Sequence, residues 1–99
     1  MSKFKGTPGP WYRVGKTVYA LNGQGFNRFS ALVQDAHTSD EELEANARLF
    51  SVAPKLLDAA IMAIEHYDEF FKGVEPPEDL PWVPVMREAI KEALGEDAP

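Results

Sequence analysis

A single proline constrains this chain more than any other residue. Pro54 sits in the run from Ser39 to Asp58, where the side chains otherwise read as continuous helix. Inside a helix a proline loses one hydrogen bond and clashes with the preceding turn. It also pushes Ala53 away from helical angles. The spacing therefore predicts a break at Val52–Ala53, with Pro54 as the first residue of a second helix. A kinked continuous helix is the alternative.

The first helix has a clear start. Ser39 and Glu42 form a capping box, and Thr38 with Glu41 offers the same pattern one residue earlier. Asp40, Glu41 and Glu42 place negative charge at the positive end of the helix dipole. Leu43, Ala47, Leu49, Phe50 and Ala53 share one broad face, and Glu44 and Arg48 are spaced for a surface ion pair. Asn46 falls inside the apolar arc. A buried amide must find partners, so Asn46 either bonds a neighbouring strand or loop or faces a ligand or symmetry mate. The second helix runs from Pro54 to about Lys72, with Gly73 as its stop. Its apolar positions, Leu56 through Phe71, cover more than half the wheel. Such a helix must be buried on two sides, and in so short a chain one side is expected to be a partner subunit. The expectation is a homo-oligomer, at least a dimer.

Two motifs carry a resemblance. Thr7-Pro8-Gly9-Pro10-Trp11 precedes short strands. Glu44-Ala45-Asn46-Ala47-Arg48-Leu49 is followed by Ala53-Pro54-Lys55-Leu56-Leu57. In that order they resemble a family of small phage and prophage accessory proteins, over roughly residues 7–64. The resemblance implies a phage gene and a small α+β fold, and it supplies no mechanism. Phe50-Ser51-Val52 departs from the alanine-rich stretch that many such proteins have there.

The strands come before the helices. Trp11–Val14 and Thr17–Leu21 flank Gly15-Lys16, which suits a two-residue hairpin turn. Asn22–Gly25 makes a second turn, and 26–34 a third strand. The connections are too short for parallel crossovers. The expected fold is α+β: a three-stranded antiparallel meander (about 11–14, 17–21, 26–34) packed on helices (about 40–52, 54–72, 83–94). Val18 and Ala20 share one sheet face and Tyr19 and Leu21 the other. Neither face is cleanly polar, so the sheet is expected to cover helices on one side and touch something else on the other. Trp11 either lids the core or serves as a stacking platform. An acidic, proline-bearing linker follows at 74–79. Pro84 suits the first turn of the last helix, Gly95 ends it, and Trp82 is expected to anchor it on the second helix.

Composition narrows the function. The chain has 99 residues, 44% of them apolar, and reads as one domain with loose ends at 1–6 and 96–99. It has no cysteine, which removes disulfides, thiolate metal sites and cysteine nucleophiles. No apolar run reaches the length of a membrane span, and no hydrophobic stretch follows Lys3 and Lys5. With the phage resemblance, the expected location is the cytoplasm of the bacterial host. The net charge of −6 disfavours duplex nucleic acid. Residues 1–34, however, hold Lys3, Lys5, Arg13, Lys16 and Arg28 and no acid. That basic end leaves room for a small anionic ligand.

No catalytic pattern emerges. His37 and His66 stand apart, with no metal-ligand spacing around them. The glycines match no phosphate loop, and the carboxylates occupy positions expected to face solvent. No cofactor and no metal are expected. A small nucleotide hydrolase is the remaining enzymatic reading. The reading that fits best is a non-enzymatic phage protein that inhibits or sequesters a host factor, in host takeover or counter-defence. Its target is either a host protein or a small anionic signalling nucleotide. The candidate binding residues are Trp11, Tyr12, Arg13, Arg28, Asn46 and Arg48. A small structural or assembly protein of the phage is the alternative.

Overall fold

The computed structural model describes residues 4–73 and 80–96. The linker expected at 74–79 lies outside them, as do the chain ends at 1–3 and 97–99. The element order is β1 (Tyr12–Val14), β2 (Thr17–Leu21), β3 (Asn27–Leu32), α1 (Asp40–Ser51), α2 (Ala53–Phe70) and α3 (Trp82–Leu94). The strands form one antiparallel sheet in the order β1-β2-β3. The α+β meander expected from the sequence is the fold.

The described residues fall into two compact units. Gly6–Lys55 forms one, and the described residues outside it form the other. α2 begins in the first and gives most of its length to the second.

In the sheet unit, the turns do what their residues allow. Gly15 takes φ 60° between β1 and β2, a left-handed angle that costs glycine nothing. The Asn22 side chain accepts from the amides of Gln24 (2.8 Å) and Phe26 (3.0 Å), closing the second turn. The register pairs Arg13 with Val18 and Val18 with Ala31, so these share one face; Ala20 and Phe29 lie on it too. α1 packs there across β1 and β2. Val18 and Ala20 are wholly buried, as are Leu43 and Ala47 of α1. The small alanines on both elements let helix and sheet approach closely. Lys16 and Asp40 add an ion pair at 3.0 Å between the first turn and the start of α1.

The start of α1 follows its capping residues: the Ser39 hydroxyl accepts from the Glu42 amide at 3.2 Å. The helix stops at Ser51, and α2 starts at Ala53 with Pro54 in its first turn. The break expected from Pro54 is therefore real. The apolar arc of α1 is narrower than the wheel implied. Leu43 and Ala47 face the sheet and Phe50 is half-buried, but Leu49 is 63% exposed. The Glu44–Arg48 ion pair does not form among the described residues.

The N-terminal motif and the proline motif meet. A Cβ on Gly9 would lie 3.1 Å from Pro54 Cβ, so only glycine fits this approach without displacing its neighbour. Gly9-Pro10 is a cis peptide. The Trp11 indole N–H donates to the Thr7 carbonyl at 3.0 Å. Its ring meets Phe29 and Phe50 edge-on, with centroids 5.1 and 5.8 Å away.

In the helical unit, α3 meets the last turns of α2. Tyr67 and Trp82 pack edge to face at 5.5 Å, so Trp82 anchors α3 on α2 as expected. Arg87 grips Asp68 through two hydrogen bonds of 2.6 and 3.2 Å. Ile64 and Val83 are the buried apolar residues there. α2 ends at Phe70, with Gly73 at φ 73° beyond it. Gly95 closes α3 at φ 76°, and the Glu96 amide bonds back to the Lys91 carbonyl.

Candidate binding surface

Alternation along a strand sends every second side chain away from the helix. In this sheet the face turned away from α1 carries two cross-strand rows. One is Tyr12, Tyr19 and Ser30; the other is Val14, Thr17 and Leu32. Tyr12 and Tyr19 stack with centroids 5.6 Å apart and planes tilted by 31°. Leu21 lies on the same face beside them. Val14 and Leu32 are 67% and 63% exposed. The result is an apolar, aromatic surface on a backbone packed against α1.

Arg28 marks one border of this surface. The register slips between Ala20 and Leu21, so Ala20 opposes Phe29 while Leu21 opposes Asn27. Arg28 is the extra residue of the bulge and is exposed. β3 is also an edge strand, and its outer backbone groups have no strand partner among the described residues.

The six candidate residues do not converge. Trp11 lies on the helix side, half-buried between Phe29 and Phe50. Tyr12 lies on the bare face. Arg13 follows it and so points the other way, where its guanidinium donates to the Gly15 carbonyl at 2.8 Å. Arg28 stands at the sheet edge. Asn46 and Arg48 are exposed on α1, so the buried amide expected at Asn46 is corrected: its side chain lies outside the Leu43–Ala47 stripe. A stacking platform with arginines around it is not what these positions make. Sequence reasoning did not single out Val14, Tyr19, Leu21 and Leu32 as site residues. Their alternation with Val18 and Ala20 was the available signal.

In the helical unit, a shallow groove on α2 is lined by Met62, Glu65, His66, Glu69 and Phe70. Among the described residues no group of three or more His, Cys, Asp or Glu side chains could hold a metal ion. No helix among them is long and apolar enough to cross a membrane.

Among the described residues, Asp68 and Arg87 are the groups whose protonation the structure shifts. The hydrogen bonds from Arg87 hold the Asp68 carboxyl below the ordinary aspartate range, and desolvation opposes this in part. The same bonds raise Arg87 further above its already high value.

Fold and surface together define a small α+β protein with an open apolar sheet face. The chain belongs to the family described as Salmonella phage P22 protein Y8K6, whose model matches residues 1–97. It is thus a phage protein by family. Comparison with curated proteins and with solved structures gave no match.

Proposed function

We propose that this is a non-enzymatic phage protein that acts in the cytoplasm of the bacterial host by binding and inhibiting a host protein. The observation that carries the reading is the bare sheet face of Tyr12, Val14, Tyr19, Leu21 and Leu32. An exposed apolar patch of this kind is characteristic of an interaction surface. Tyrosines suit such a surface because they bring large area with few rotatable bonds.

Shape and charge favour a protein over a small anionic nucleotide. Small-molecule sites are concave, and this face is a sheet surface with its candidate cations dispersed. Arg13 is held on the far side, and Lys16 is paired with Asp40. The strands themselves carry exposed Arg28 at the border and no acid, since residues 1–34 contain none, and Asp40 stands at the end of the sheet against Lys16. The partner that fits has an apolar patch rimmed by carboxylates. Complementary charge of this type raises the association rate and is weakened by salt.

The test begins with affinity capture from host cells and then moves to the purified captured protein. That protein should bind the wild-type chain in a salt-weakened complex. Leu32→Glu and Tyr12→Ser, at positions exposed in the free chain, should weaken binding at least about tenfold; Leu32→Glu should leave the melting curve in place, and Tyr12→Ser should lower it only by the loss of the Tyr19 stack. Equal binding by both variants would overturn the reading. Recovery of the chain as a stoichiometric component of purified phage particles would favour the assembly role instead.

A further inference from the structure

The register of the sheet decides which backbone groups of β3 face outward. The Val33 amide donates to the Lys16 carbonyl at 2.9 Å. The pairs Val18–Ala31 and Ala20–Phe29 follow in the same phase, so Ala31 and Phe29 turn their amides and carbonyls toward β2. Ser30 and Leu32 alternate with them. Their N–H and C=O groups therefore point away from β2, and no described residue bonds them. The two residues stand about 7 Å apart along the strand. β3 thus offers two donor–acceptor pairs at the repeat of a β-ladder.

The other edge of the sheet offers less. β1 has three residues, and the same alternation turns the backbone of Arg13 outward there. α1 packs across β1 and β2 and makes no close backbone approach to β3. The helix-side layer is accordingly unfinished at β3. Phe29 and Ala31 are half-buried, whereas Val18 and Ala20 beside them are wholly buried.

One end of the β3 edge is closed. Arg28 occupies the bulge, and the Asn27 amide group donates to the Ser30 hydroxyl across it at 3.1 Å. A bulge ends regular pairing. A strand added to β3 therefore runs beside Phe29–Leu32 and meets exposed Arg28 as it leaves.

We propose that the host protein binds by adding one extended, antiparallel strand to β3. The proposal rests on the host-protein reading and names the segment that the partner uses. Its backbone exchanges hydrogen bonds with Ser30 and Leu32. Its residue opposite Leu32 is apolar and extends the row of Val14, Thr17 and Leu32 on the bare face. Its next residue turns to the helix side and covers Ala31 and Phe29. A carboxylate further along meets Arg28. A second copy of β3 offers Arg28 no such carboxylate, because Arg28 is the charged residue of that strand.

Amide exchange followed by NMR tests the edge. The probe is the peptide Val-Val-Thr-Val-Glu, acetylated and amidated, at millimolar concentration with the full chain; the captured host protein follows. In the free chain the Ser30 and Leu32 amides should exchange freely, and those of Phe29 and Ala31 slowly. Probe and host protein should each slow Ser30 and Leu32 at least about tenfold. Methylating the Thr nitrogen of the probe removes a ladder donor and should abolish the slowing. Ser30→Pro removes an outward N–H at a position where an edge strand accepts proline. It should weaken host-protein binding at least about tenfold, and Ser30→Ala, which keeps the amide, should not. Should Ser30→Pro fail to fold, the exchange of the wild-type chain decides. Ser30 and Leu32 amides left open by the probe or in the host complex would overturn the proposal. So would protection of both in the free chain that rises with its concentration, the mark of a second copy on the edge. Leu32→Glu weakening the host complex while both amides stay open would sink strand addition alone. Equal binding of the host protein by Leu32→Glu and Tyr12→Ser would sink the host-protein reading itself, and the proposal with it.

Discussion

Gly9 shows how one missing side chain shapes the sheet unit. The chain approaches Pro54 so closely that a methyl group would sit 3.1 Å from its Cβ. Gly9→Ala should therefore force one segment to move, with a loss of about 1 kcal/mol of stability by chemical denaturation. Its neighbour Trp11 uses both ends of its side chain. The N–H satisfies the Thr7 carbonyl, and the ring edge fills the gap between Phe29 and Phe50. An anticipated binding residue is thus bound to its own chain. The sequence left both fates of Trp11 open, because its aromatic partners lie far away along the chain. Arg13 was ambiguous for a different reason. Strand alternation says that it opposes Tyr12, but only the register with Val18 shows which of the two faces the helix.

At the scale of elements, the local signals were the readable ones. The serine cap, the proline break and the glycine stops placed the helices to within a residue or two, because each acts through the backbone of its immediate neighbours. The orientation of α1 was less accessible. Its wheel offered an arc from Leu43 through Leu49, and tertiary packing used only the Leu43–Ala47 side. Nothing local distinguishes the two sides of such an arc. The α2–α3 contact adds an electrostatic element that the sequence did not reveal. Asp68 titrates below the ordinary aspartate range in the folded chain. A depressed acid contributes its stability above its unfolded value and loses it as pH falls through the folded value. Asp68→Asn should thus lower the melting temperature slightly at neutral pH. The difference from wild type should vanish in acid, where both side chains are neutral. The pair is exposed, so the effect is small and shrinks with salt.

At the scale of the whole molecule, the described elements leave several large apolar side chains exposed. The sheet has a bare face with Tyr12 and Tyr19 stacked on it, and Met62 and Phe70 stand exposed on α2. The excess on α2 was readable from the width of its apolar arc. The sheet face was readable only as a failure of alternation, since Val14, Tyr19, Leu21 and Leu32 stand where a solvated sheet would carry polar groups. What the sequence could not supply was which side of the sheet stays open, because that depends on the register and on where α1 packs.

The Gly9–Pro54 contact has a consequence for engineering. The backbone enters the sheet unit and leaves it at the same spot, so residues 6–55 form a cassette whose two ends are already side by side. Segments of that kind tolerate transplantation and rearranged connectivity. Grafted through those ends into a surface loop of a carrier protein, the cassette should keep Trp11 seated against Phe29 and Phe50, read as emission at a shorter wavelength than in denaturant. Emission no different from that in denaturant would mean that the clasp needs the rest of α2 to stay shut.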